Sequence, residues 1–585
     1  MTANIDEMAI PSATVVPADF EQSNNGEVLP VSGLANANIH ETKDTTMSGH
    51  PASSTHKGYR FWAIILALCI TGLLGALENT VVTTSLPTIV DKLALDRNYI
   101  WVTNIFFLTS AAVQPLFGQL ANIFGRRWLT MFIVAVYTLG SGICGGANSG
   151  AMLIAGRAVQ GIGSGGVNMI VDVIVSDLVP LRERGNYIAI ILTVYAIGTS
   201  IGPFVGGIIV ERTTWRWVFW INLPVGGVAL VVLFLFLRVS SAKEMTLLQK
   251  MKRIDFVGNA MIMASSVAIL YALTYGGSLY SWSNARVVVP LVLGLVGLVL
   301  FLFFEGSNWV REPVTPVRLF THRTGAIVGI NTFLNSALLY WAMFFLPVYF
   351  QAVLGSSPAW SGVQLLPIVL VAVPGAIIAV IILTKFGRYK HLHVVGFALV
   401  TLSLGLFSLL DQHSSTAEWV IFQIIGALGS GMILNTLLPA FQAGIPESDQ
   451  AAATASWAFI RSFGNIWGVA IPAAIFNNRF QSLSYQISNS QVRSDLSGGN
   501  AYEHASHAFI ESLPEPARTE TVGVYVEALK LVWYISVVFC GLACLLALFE
   551  AEIELRKELD TAYGMEDSLT VDKKERDTEK NSHGS

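Results

Sequence analysis

The chain is divided by a succession of apolar stretches, each about 20 residues long and nearly free of charge. That is the length a helix needs to cross a ~30 Å hydrocarbon layer. The stretches fall near 61–84, 100–120, 128–147, 151–174, 187–209 and 217–238, then 255–275 and 286–304. The last set lies near 325–350, 361–383, 393–411, 417–440, 453–476 and 528–549. In lipid a helix satisfies its own backbone groups, whereas an open strand leaves them unpaired. The expected architecture is an all-α membrane protein of fourteen transmembrane helices, grouped six, two and six. Hydrophobic residues make up 53% of the 585 positions and charged ones only 13%, against roughly a quarter charged in soluble domains. A net charge of −4, spread along the chain, gives no footing for a nucleic-acid partner. The partner implied is the lipid bilayer.

The ends differ from the middle. Residues 1–58 are polar, with Asp6 and Glu7 where a secretory leader carries basic residues, and are expected to form a disordered cytosolic tail. Residues 551–585 are expected to do the same. Between them lie a six-helix half at 59–240, two linker helices within 241–310, and a second six-helix half at 311–550 with a long outer loop at 477–527. Short loops on one side hold Arg126, Arg127, Arg182, Arg184, Lys250, Arg253, Arg318, Lys385 and Arg388, while the other side holds only Lys92, Arg97, Arg212 and Arg216. The excess of Lys and Arg marks the cytosolic side, so both termini are expected there. The four cysteines, Cys69, Cys144, Cys540 and Cys544, fall inside apolar spans and are expected to pack as small hydrophobes.

An internal repeat joins the two halves. Leu120-Ala121-Asn122-Ile123-Phe124-Gly125-Arg126 is echoed by Ile382-Leu383-Thr384-Lys385-Phe386-Gly387-Arg388, Leu86-Pro87 by Leu346-Pro347, and Gly163-Ser164-Gly165 by Gly429-Ser430-Gly431. The offsets are nearly constant, as expected of parallel halves that pack around a central cavity and rock about it.

Five segments carry chemistry. The run Gly198-Thr199-Ser200-Ile201-Gly202-Pro203-Phe204-Val205-Gly206-Gly207 would cost a soluble helix several kcal/mol, at roughly 1 per Gly and 3 per Pro. A membrane helix tolerates it and gains close approach to a neighbour. Gly118-Gln119-Leu120-Ala121-Asn122-Ile123-Phe124-Gly125-Arg126-Arg127 lies between spans two and three, with Asp172 or Asp177 as candidate partners for Arg126. Glu78, in Leu77-Glu78-Asn79-Thr80, is a carboxyl inside span one. An intramembrane carboxylate costs a few kcal/mol while charged, which suits a group that takes up and releases protons or one that hydrogen-bonds Thr80 or a neighbouring helix. Arg157, in Gly156-Arg157-Ala158-Val159-Gln160-Gly161, needs an anion or a carbonyl if buried, and Glu78 is one such partner; snorkelling to the outer interface is the other reading. Trp215-Arg216-Trp217-Val218-Phe219-Trp220-Ile221-Asn222-Leu223-Pro224 opens span six as an aromatic belt. Arg461 in span thirteen lines the cavity or reaches the cytosolic surface. Gln351, Gln442, Asn335 and Asn435 contact a substrate or bond across helices.

Together these segments resemble the major facilitator superfamily, and within it the fourteen-helix drug:proton antiporters, of which fungal toxin and multidrug efflux pumps are the nearest in appearance. The resemblance covers roughly residues 60 to 550. It departs from the family at Asn122, where Asp is usual, and at Glu78, which replaces Asp. It implies the major facilitator fold, proton coupling at Glu78 and Arg157, and a conformational loop at Gly118, Asn122, Gly125, Arg126 and Arg127. It further implies an antiporter motif that bends span five at Gly198, Gly202, Pro203, Gly206 and Gly207. The implied activity is proton-coupled export of a small amphipathic molecule by alternating access, from a monomer in the plasma membrane. Siderophore–iron transport, or basic amino-acid transport in a vacuolar membrane, uses the same fold; a non-transporting sensor is a more distant reading. Gly161-Ile162-Gly163-Ser164-Gly165-Gly166 is no dinucleotide site, because no strand precedes it. His504 and His507 lack further metal ligands, and the sequence contains no P-loop. No cofactor, metal or enzymatic activity is expected.

Overall fold

A computed structural model of the chain describes residues 58–93, 99–237, 246–276, 280–307, 309–310, 312–446, 449–497, 500–502 and 504–556. The expected tails, apart from Gly58 and residues 551–556, lie outside the described residues. Regular structure within them is helical, save one isolated bridge between Gly276 and Tyr280. Twelve helices are long and apolar enough to cross a membrane, with the shorter apolar helix Trp101–Ala112 beside them. They are twelve of the fourteen expected spans; the remaining two, near 100–120 and 187–209, are helical as well.

The first group comprises α1 (Tyr59–Leu93), α2 (Tyr99–Ala112), α3 (Gln114–Phe124), α4 (Arg126–Gly145), α5 (Gly150–Leu178), α6 (Arg184–Arg212), α7 (Trp217–Trp220) and α8 (Asn222–Phe236). The second expected span is broken into α2 and α3 just before Pro115, whose ring lacks an N–H and cannot continue the helix smoothly. A short helix, α9 (Leu247–Met251), precedes the pair α10 (Phe256–Tyr275) and α11 (Ala285–Glu305), which pack on each other; α10 also touches α2. The remainder comprises α12 (Arg323–Val348), α13 (Pro358–Gln364), α14 (Leu366–Phe386), α15 (Lys390–Phe407), α16 (Thr416–Gln442), α17 (Gln450–Leu483), α18 (Ser490–Asp495), α19 (His507–Ser512) and α20 (Ala517–Leu548).

The sequence repeat has a physical counterpart. A methyl group built on Gly163 of α5 would stand 2.4 Å from the backbone nitrogen of Tyr137 on α4, and one on Gly165 would stand 2.1 Å from the Ser110 carbonyl on α2. In the second half, Gly429 of α16 meets the Gly396 carbonyl on α15 at 2.5 Å, and Gly431 meets the Ala372 carbonyl on α14 at 2.1 Å. The same helix of each half thus uses two glycines to press against two neighbours. Gly125 and Gly387, which follow α3 and α14, both hold positive φ, 84° and 69°, where a Cβ is disfavoured. We expect Gly163→Val to destabilise the protein by about 3 kcal/mol, because the obstructing atoms are backbone and cannot yield. Thermal unfolding of purified protein reads this directly; an unchanged midpoint would mean the two helices separate freely.

Two chain segments are more ordered than the sequence suggests. Region 477–527 is no open loop, since α17 continues to Leu483 and α20 begins at Ala517. Between them Ile487, Val492, Leu496 and Ile510 are buried, and the Tyr525 hydroxyl donates to the Ala501 carbonyl at 2.7 Å. His507 pairs with Glu511 at 3.0 Å, and His504 Nδ1 lies 3.0 Å from the Asn500 carbonyl. The other segment is Glu550–Arg556, which follows α20. Glu550 is buried between His393 Nδ1 at 2.7 Å and Asn331 Nδ2 at 3.1 Å. The Ala551 carbonyl accepts from the Tyr389 hydroxyl at 2.9 Å, and Leu555 is 1% exposed. Arg556 donates to the Ile445 carbonyl at 2.8 Å, while its own carbonyl accepts from the Arg182 backbone N–H at 3.3 Å. The start of the expected tail is a strap across the Arg-rich end of the bundle.

Candidate functional site

The first polar cluster lies inside the first group of helices. Glu78 on α1 is 1% exposed. One of its oxygens accepts a short hydrogen bond from Arg157 Nη1 on α5; the other accepts from Asn222 Nδ2 on α8 at 2.6 Å. Arg157 is satisfied on all sides: Nε donates to the Val102 carbonyl at 2.8 Å, Nη1 also donates to Gln160 Oε1 at 2.8 Å, and the Phe106 ring centroid lies 4.1 Å from the guanidinium. Gln160 Nε2 donates in turn to the Ser141 hydroxyl on α4 at 2.8 Å. Five helices therefore meet at one ion pair. The arrangement suits proton exchange, because a neutral Glu78 leaves Arg157 with a carbonyl, an amide oxygen and a ring rather than stranded in a low-dielectric interior.

The second cluster clasps the two halves at the Arg-rich end. Arg184, opening α6, is buried and donates to Gln442 Oε1 on α16 at 2.8 Å and to Gln450 Oε1 on α17 at 2.9 Å. Its remaining groups reach the Val179 carbonyl at 3.0 Å and the Ser176 carbonyl at 2.6 Å. Gln442 Nε2 returns to the Ser176 hydroxyl at 3.1 Å. Arg182 donates to the Thr384 and Lys385 carbonyls. Gln119 donates to the Glu312 carbonyl at 2.8 Å, and a methyl group on Gly118 would stand 2.1 Å from the Ala455 Cβ. Beside the clasp, Arg126 holds Asp177 through two bonds of 2.6 and 3.3 Å and reaches the Ala121 carbonyl at 3.0 Å. Further along, Arg461 on α17 faces Asp172 on α5 at 3.7 Å and packs 4.6 Å from the Trp457 ring centroid.

Comparison with known proteins now bears on this geometry. Residues 68–469 match the Major Facilitator Superfamily. The chain belongs to that superfamily. This facilitator is 52% identical over 510 residues to the MFS-type transporter TwmF of Talaromyces wortmannii, covering 87% of this chain and 93% of the relative. It is 44% identical over 547 residues to the MFS-type efflux pump LUC4 of a Fusarium species, covering 92% and 97%. The solved human organic anion transporter MFSD10 superposes with a TM-score of 0.53 at 14% identity, over 83% of this chain and 99% of that one. At that identity the likeness speaks for the fold alone. The chain is accordingly a secondary transporter of the efflux-pump type.

Of the expected residues, Glu78 and Arg157 meet directly, and the belt run supplies Asn222 to the same pair. Within that run Trp217 is half-exposed, while Phe219 is buried. Arg126 takes Asp177 and not Asp172, which lies further into α5 and turns to Arg461 instead. Arg127 donates to the Phe234 carbonyl at 2.9 Å, and Asn122 sits partly exposed on α3. Gln442, a candidate for the cavity, is buried in the clasp. Gln351 lies partly buried in a π-turn at Tyr349–Val353. The helix α6 runs without interruption through Gly198, Gly202, Pro203, Gly206 and Gly207. A methyl group on Gly198 would approach Leu73 and Ala76 of α1 to 2.8 and 2.9 Å; the surroundings of Pro203 and Gly207 lie outside the described residues. Cys69, Cys144 and Cys540 are buried thiols and Cys544 is partly buried. Arg184, Gln160 and Asn222 were not singled out from the sequence. Arg184 reads there as a topology marker only, and Asn222 is hidden among aromatic residues.

Proposed function

We propose that this transporter exports small amphipathic organic molecules in exchange for protons, by alternating access between its two halves. The observation that carries the reading is the buried Glu78–Arg157 pair. Glu78 takes a proton and lets go of Arg157, which falls back on Val102 and Gln160. The change at that point is felt by α1, α2, α4, α5 and α8 together. The Arg-rich end is the cytosolic one by the distribution of Lys and Arg, so the clasp closes the inward side and both termini are cytosolic. In this state the cavity is sealed from the cytosol at Arg184, Gln442 and Gly118.

The cargo is apolar over most of its surface. A crevice of about 660 Å³ between α6 and α14 is lined by Ile197, Ile201, Leu370, Val373 and Ile377, a lining that suits hydrocarbon. Relatives named as efflux pumps support the outward direction. We place the protein in the plasma membrane and take the single chain as the working unit. The test is efflux of a panel of hydrophobic toxins and dyes from cells making the protein, with and without a protonophore. Export should stop when the proton gradient is collapsed. Export indifferent to the protonophore would remove the proton from the mechanism, and accumulation in place of export would reverse its direction.

A further inference from the structure

Arg126, Arg157 and Arg184 are buried in the helix bundle, and each is fully engaged. Arg126 has a carboxylate and a carbonyl, Arg157 a carboxylate, a carbonyl, an amide oxygen and a ring, and Arg184 four oxygens. Arg461 is different. Among the described residues no hydrogen-bond acceptor meets its guanidinium. Its nearest anion is Asp172 Oδ2 at 3.7 Å, beyond hydrogen-bond range. Asp172 is 8% exposed, and its Oδ2 is buried with no hydrogen-bond partner. A loosely held charge pair of this kind is expensive in a low-dielectric setting. Such groups persist where a ligand completes them.

The surroundings say what that ligand is. Asp172 stands five residues from Asp177, roughly 7.5 Å of helix rise, so the pair lies just beyond the clasp and bridges the two halves through α5 and α17. The Trp457 ring covers one face of Arg461. Beside that indole face the site offers a planar, permanently charged fork of donors. A guanidinium fork matches two oxygens sharing one negative charge. A cationic cargo would be repelled by Arg461, and the deeper Asp172 gives it little to hold.

We propose that Arg461 determines specificity for an acidic oxygen pair, a carboxylate or an enolate, carried on an aromatic or apolar scaffold. Asp172 holds Arg461 loosely while the site is empty and is displaced when cargo binds. The inference rests on the exporter reading and narrows its substrate class.

The test uses the full chain, purified into lipid nanodiscs, with pyrenebutyric acid and its methyl ester as paired fluorescent probes. The unsubstituted protein should prefer acid to ester about tenfold or more, the size expected of hydrogen bonds to a charged group. Arg461→Gln should bring the ratio close to one, and Arg461→Lys should keep part of it. Asp172→Asn should raise the ratio severalfold, because the competing carboxylate is gone. This variant carries the test if Arg461→Gln does not fold. A preference that survives Arg461→Gln, a preference lowered by Asp172→Asn, or none in the unsubstituted protein would each overturn the assignment. Proton-driven efflux of neutral dyes is measured separately, so loss of the acid preference does not count against export itself.

Discussion

Glu78→Gln should abolish gradient-driven export, lowering it by about 100-fold or more to the background of cells without the protein. The amide keeps the shape of the side chain and can still accept from Arg157, but it cannot carry a proton. The substitution also removes the anion beside Arg157; breaking a buried ion pair typically costs about 3–5 kcal/mol, of which the Val102 carbonyl, the Gln160 amide oxygen and the Phe106 ring offset a part. Stability and transport therefore have to be separated. Glu78→Gln and Arg157→Gln should each lower the unfolding temperature of the purified protein, and the double variant should recover much of that loss, because it buries no unpaired charge. Export should remain absent in all three. A Glu78→Gln protein that still exports along the proton gradient would move the coupling site elsewhere, with Asp172 the next carboxyl to test.

Arg184→Ala should open the Arg-rich end. Its two bonds to Gln442 and Gln450 are the most direct polar ties between the halves, and a hydrogen bond to a charged group contributes about 1.5–3 kcal/mol. Losing both, with two buried amides left short of a donor, should shift the balance between closed and open forms by about 100-fold, since each 1.4 kcal/mol is a factor of ten. Ala453, fully buried on α17, gives a reporter position. In an Ala453→Cys background, Arg184→Ala should speed labelling by a water-soluble maleimide by a similar factor. Equal labelling rates would mean that Gly118, Arg182 and the strap close the end without Arg184.

Local chemistry was legible in the sequence, and long-range pairing was not. Gly125 and Gly387 announce themselves because positive φ admits little else, and their matched positions revealed the repeat. Glu78 and Arg157 stand out because charge within an apolar run is costly, and each names the other as a solution. Arg184 gave no such signal: its partners at 442 and 450 lie in another half of the chain, and Arg in a short loop is what membrane topology alone would place there. Asn222 sat in a run dominated by aromatic rings, whose interfacial role was a sufficient explanation for the whole segment. The strap was concealed by its charges. In Glu550-Ala551-Glu552-Ile553-Glu554-Leu555-Arg556 the alternation of Ile553 and Leu555 was the one hint that an extended segment lies against the protein. The break before Pro115 that divides α2 from α3 was hidden as well, because a hydropathy window sums across a break that the backbone does not.

The strap gives biosynthesis a say in when the pump becomes tight. Glu550–Arg556 follows the last helix, so it is made after every span has been threaded into the bilayer. Arg182, which it touches, has by then been in place since early in translation. Until residues 550–556 arrive, the contact between Arg556, Ile445 and Arg182 does not exist. A nascent or truncated chain can hold all of its helices and still lack the seam that closes the Arg-rich end.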